Sequence, residues 1–134
     1  MIAVKDLALG NLIFQVLLIV LVSWAAFLAK KKQLKIHCTM VRIAVLLQLI
    51  AIAFIMTPSL AGYLKPGTSI RLLIEMLTHH TLGLLVIAIW IYVNLVMLRI
   101  LKTKRRLIPF MRVALLAWIA AILIGMHLYL TIYL

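Results

Sequence analysis

Long apolar runs separated by short polar or basic connections make up this chain. The runs cover about Leu9 to Ala29, Ile36 to Thr57, Ile70 to Leu98 and Pro109 to Leu134. Each reaches or exceeds the ~20 residues that an α-helix needs to cross the hydrocarbon of a bilayer. Backbone N–H and C=O groups surrounded by lipid must pair within their own segment, so the runs predict helices rather than strands. Between them lie a Lys30-Lys31-Lys32 turn, a loop punctuated by Pro58, Gly62, Pro66 and Gly67, and the stretch Lys102–Arg106. Proline and glycine break helices there, and Ser69 is placed to cap the third one. No connection has room for a separate soluble domain. Residues 1–134 therefore read as one all-α domain, an integral membrane up-down-up-down four-helix bundle with spans at about 9–29, 36–57, 70–98 and 109–134.

Composition and charge sharpen that picture. Of 134 residues, 68% are hydrophobic, against about 45–50% in an ordinary soluble domain. Mean hydropathy is +1.29, so the bilayer is the expected solvent. Fourteen Lys and Arg stand against two acids, Asp6 and Glu75, for a net charge of +12. On a soluble protein that excess would suggest nucleic acid. Here the cations gather at helix ends, which points to membrane topology and anionic headgroups, with no nucleic-acid partner. Lys30, Lys31, Lys32, Lys35, Arg42, Arg99, Lys102, Lys104, Arg105, Arg106 and Arg112 fall on one side, and only Lys5, Lys65 and Arg71 on the other. The positive-inside rule puts the larger group in the cytoplasm and both termini outside, as a multi-pass protein of the cell membrane. Lys30-Lys31-Lys32 follow the first run while its N-terminal flank holds only Lys5 and Asp6, the reverse of a signal peptide's charge order, so that run is expected to be retained. Cys38 is the single cysteine, which excludes an internal disulfide and a CxxC metal site.

Ionisable groups inside the spans are the candidate chemistry, because such groups are costly at membrane depth and mark function. Glu75, His79 and His80 lie in the first third of the third run, and His127 near the end of the fourth. His79 and His80 sit roughly ten residues in, ~15 Å along the axis, so all four are expected in one layer of the outer half. Asn11, Gln15, Met56 and Thr57 fall at similar depth. Glu75 and His79, four apart, stack on one helix face, with His80 rotated about 100° away. If His79 faces the bundle, His80 is expected to face a neighbour or lipid. Three uses are open. Imidazoles with a carboxylate behind them suit a copper or other metal centre. His79 or His80 with His127 could ligate a haem b axially between the third and fourth helices. Or Glu75 and a histidine simply hydrogen-bond and tie helices together. His37, at the opposite end, reads as an interfacial residue without a partner for a second haem. Gln48 and Asn94 read as interhelical hydrogen bonds. Ala117, Ala121 and Gly125 form a small-residue stripe suited to close helix approach, with Gly83 as its expected partner. There is no nucleophile–base pair, phosphate loop or acid pair, so a self-contained enzyme is not expected.

The chain also resembles the CtaM/YozB-like family of small four-helix membrane proteins. The resemblance spans nearly all of it and rests on four features: Asn11 in the first helix, Lys35-Ile36-His37 opening the second, a histidine in the third, and Arg112, Trp118, Gly125 and Tyr129 at the family's spacing in the fourth. Family histidines near Ser59 and Leu107 are missing, and His127 is additional. The resemblance implies a part in maturation of haem–copper terminal oxidases. The resulting expectation is an accessory or assembly subunit of a copper- or haem-containing membrane respiratory complex, with other subunits of an oxidase-type complex as partners. A site at His79, His80 and His127, with Glu75, would take haem b or copper. Alternatives are a single-haem b-type cytochrome transferring electrons, or a structural subunit without a ligand.

Overall fold

A computed structural model describes residues 4–63 and 67–134. Lys65 and Pro66, expected in the second connection, lie outside the described residues. The described chain is helical, without a strand: α1 (Val4–Lys30), α2 (Leu34–Ala51), a π-helical stretch (Ile52–Met56) that runs straight on into α3 (Thr57–Tyr63), α4 (Ile70–Met97) and α5 (Ile108–Tyr133). Among the described residues, four helices are long and apolar enough to cross a membrane: α1, α2 with its π-helical extension, α4 and α5. Their outer surfaces agree with that solvent. Leu17, Val20, Phe54, Leu84 and Leu116 all stand more than half exposed, the kind of apolar surface that soluble monomers rarely present.

Local chemistry sets the boundaries. Ser69 Oγ accepts from Leu72 N–H at 3.3 Å and caps α4 as expected. Gly67, at φ +99°, supplies the left-handed step before it. The second span differs from expectation, because Pro58 and Gly62 lie inside helix rather than in a loop. Pro58 has no N–H to give and its ring crowds the carbonyl four residues back. The backbone widens into a π-helical turn just before it, and Thr57 Oγ1 bonds Ile52 O at 2.9 Å across that turn.

Packing joins α4 to α5, α5 to α1 and α1 to α2. Around the bundle the order is therefore α2, α1, α5, α4, and the side between α2 and α4 has the thinnest contact. Leu18, Ala44, Val45, Val86, Ala117 and Trp118 form a core that draws on all four long helices. Two histidines fasten the close pairs. His37 is buried and its Nδ1 donates to Ala25 O at 2.8 Å, joining α2 to α1. His79 Nδ1 donates to Ala121 O at 2.7 Å, joining α4 to α5. His37 is thus an interhelical strut rather than the interfacial residue expected. Asn94 also departs from expectation, since it bonds Trp90 O within its own helix at 2.9 Å.

Candidate functional site

A cavity of about 370 Å³ opens at one end of the bundle, within the range of about 300–1,000 Å³ typical of small-molecule sites. Its walls come from the N-terminal halves of α1 and α4, the C-terminal half of α5, and α2 with the π-helical stretch and α3. The basic connections lie at the other end. Most of the lining is apolar, and no Asp, Glu, Lys or Arg contributes to it among the described residues.

Polar character comes from a few side chains. Asn11 and Gln15, one helical turn apart on α1, share a face and both line the cavity. Gln48 joins them from α2, His79 and His80 from α4, and Trp118 from α5. Gln15 and Gln48 are buried, at 5% and 7% exposure. Trp118 Nε1 points to Gln15 Oε1 at 3.5 Å. Asn11 Oδ1, Gln15 Nε2, Gln48 Oε1 and His80 Nε2 are buried with no hydrogen-bond partner. Native proteins rarely leave such atoms unpaired, and here four of them gather around one cavity. Gln48, expected to bond a neighbouring helix, has its carbonyl oxygen unpaired and lines the cavity.

Both adjacent histidines reach the cavity, contrary to the expectation that one would face away. The cavity extends from α5 round to α2, wide enough to receive two side chains about 100° apart on α4. His79 leans on α5, held by Ala121 O. Gly125 leaves it the room: a Cβ there would lie 2.9 Å from His79 Cε1 and 3.3 Å from Nδ1. The small-residue stripe therefore makes space for an imidazole, not for a glycine on the facing helix. Gly83 has nothing within 4 Å of where its Cβ would be and borders the cavity instead. His80 folds back so that Nδ1 donates to Met76 O at 2.8 Å, and its ring meets that of His79 edge-on at 5.3 Å between centroids. A carbonyl oxygen can only accept, so each neutral ring keeps its proton on Nδ1 and leaves Nε2 with a bare lone pair.

Glu75 and His127 go elsewhere. Glu75 Oε1 takes Arg71 Nε at 3.1 Å, and Oε2 takes His127 Nδ1 at 3.0 Å. His127 is half exposed at 52%, and neither it nor Glu75 lines the cavity. Glu75 thus pairs across to α5 rather than backing His79, and the four expected site residues split into two groups. Among the described residues, no three His, Cys, Asp or Glu side chains gather as a metal centre would. An axial haem pair of His79 or His80 with His127 would require His127 to leave Glu75 and turn inward. The possible metal donors in the cavity are the imidazoles of His79 and His80, with Met56 and Met76 also in the lining.

Comparison with protein-family models, with curated proteins and with solved structures finds no match. Of the residues that carry the resemblance in α5, Trp118, Gly125 and Tyr129 border the cavity, while Arg112 is exposed at the basic end.

Proposed function

We propose that this chain is a multi-pass protein of the cell membrane, with both termini and the cavity on the outer side, that serves a copper- or haem-containing respiratory complex as an accessory or assembly subunit. The observation that carries this reading is the cavity itself. Two imidazoles, one of them with a buried and unpaired Nε2 (His80), and the amides of Asn11, Gln15 and Gln48 surround one space. The incomplete donor set suits a helper rather than a self-sufficient cytochrome, so the copper or haem belongs to the complex served. The eleven cations at the opposite end orient that cavity away from the cytoplasm. The family resemblance points to the same kind of work.

Co-purification tests this directly. The chain is extracted from its own membranes in mild detergent, and co-eluting subunits are identified by mass spectrometry and by the reduced-minus-oxidised spectrum of the eluate. Subunits of a haem- or copper-containing complex are expected. Their absence, or a Soret band belonging to the isolated chain, overturns the proposal.

A further inference from the structure

Two of the unpaired atoms around the cavity are fixed in kind by their neighbours. His80 Nδ1–H donates a hydrogen bond to Met76 O, so His80 Nε2 is an acceptor. An indole N–H can only donate, so Trp118 turns the oxygen of Gln15 towards itself and leaves Gln15 Nε2 as the free donor. Asn11 Oδ1 and Gln48 Oε1 add two more acceptors. Counting the buried, unpaired atoms, the cavity offers three acceptors and one donor, and among the described residues no Asp, Glu, Lys or Arg lines it.

Placement narrows the occupant further. Gln15 belongs to α1 and His80 to α4, which stand on opposite corners of the bundle. A ligand that satisfies both needs an oxygen at each end. A fatty alcohol has one polar end, and an ion would bring charge that no lining residue answers. The thinly packed side between α2 and α4 leaves a way out for an apolar tail.

We propose that the cavity binds a lipid-soluble para-quinol, with one ring hydroxyl donating to His80 Nε2 and the opposite ring oxygen accepting from Gln15 Nε2. The ring sits among apolar side chains beside Trp118, and the isoprenoid tail leaves between α2 and α4. This rests on the proposed function only in placing the bundle in a respiratory membrane, where quinols are dissolved. Binding alone is proposed, with no electron transfer.

The full chain in nanodiscs of neutral phospholipid is titrated anaerobically with decylubiquinol and, separately, with decylubiquinone, by calorimetry. One saturable site per chain is expected for the quinol. The quinone, which has no hydroxyl to give His80, binds about tenfold more weakly. Gly83→Phe grows into the open space beside Gly83 and abolishes binding, while circular dichroism reports the helices intact. Gln15→Leu weakens both ligands about tenfold. His80→Leu weakens the quinol to the level of the quinone, a loss of discrimination that a packing role for His80 would not produce. Equal uptake by wild type and Gly83→Phe would mean partition into lipid and overturns the proposal. So does equal affinity for quinol and quinone, or copper or haem bound one per chain and lost in His80→Leu. The titration needs no partner protein, so its failure is distinct from a failure to co-purify.

Discussion

Gly125→Ala and Gly83→Ala are the same substitution in two long helices, and the structure gives them opposite signs. At Gly125 the new methyl carbon would lie 2.9 Å from His79 Cε1 and 3.3 Å from Nδ1. The imidazole cannot retreat freely, because its Nδ1 is held 2.7 Å from Ala121 O. Overpacking of this kind costs about 1–3 kcal/mol. If the ring swings away instead, an interhelical bond worth about 1 kcal/mol in a membrane bundle is lost. Replacing glycine by alanine inside a helix returns up to about 1 kcal/mol. With that gain set against the overpacking, the balance for Gly125→Ala is a loss of up to about 2 kcal/mol. At Gly83 nothing lies within 4 Å of the new atom, so only the helix gain remains, up to about 1 kcal/mol. Reversible unfolding in mixed micelles, followed by circular dichroism, measures both. A double-mutant cycle isolates the cause: in a His79→Ala background the cost of Gly125→Ala should vanish. Equal signs for the two glycine variants, or a cost at Gly125 that persists without His79, would refute the reasoning.

Other consequences are quickly stated. His37→Ala removes a buried bond from α2 to Ala25 O and should lower stability by about 1–2 kcal/mol in the same assay; no change would mean that the strut is idle. Glu75→Gln should leave the unfolding midpoint close to that of wild type, because its partners Arg71 and His127 are exposed and such pairs contribute little; a large drop would place Glu75 in a hidden network. Elemental analysis and optical spectra of the purified chain and of His79→Ala, His80→Ala and His127→Ala should show no bound copper or haem at one per chain. A Soret band lost in both His80→Ala and His127→Ala would restore the axial pair.

Much of the architecture is legible in the sequence, because a bilayer imposes one simple rule on every span: apolar, helical and about 20 residues long. The runs appear as helices, and Ser69 caps where its position says it should. Pro58 is the exception. A proline after a long apolar run reads as a break, yet a widened turn absorbs it and carries the helix on to Tyr63. The site is harder to read because depth can be counted along a helix while azimuth cannot. Counting residues puts Glu75, His79, His80 and His127 near one level, but only packing decides that Glu75 turns to Arg71 and His127. Equally, only packing decides that His80 shares the cavity with His79. Gln15 and Gln48 were visible as polar residues in apolar runs. Their convergence depends on helix order around the bundle, which spacing within one helix does not encode. The small-residue stripe predicts close backbone approach at Gly125 with Gly83 as partner, whereas what lies against Gly125 is the His79 imidazole from α4.

Both the cavity's chemistry and the quinol proposal depend on which ring nitrogen carries the proton. Nitrogen-15 NMR of histidine-labelled protein in bilayers, assigned with single His→Gln variants, reads this at each residue. The hydrogen bonds to Ala121 O and Met76 O predict that His79 and His80 carry their proton on Nδ1 with Nε2 unprotonated, and that the His80 Nε2 signal changes when decylubiquinol is added. Protons found on Nε2 of these two rings, with Nδ1 bare, would contradict it.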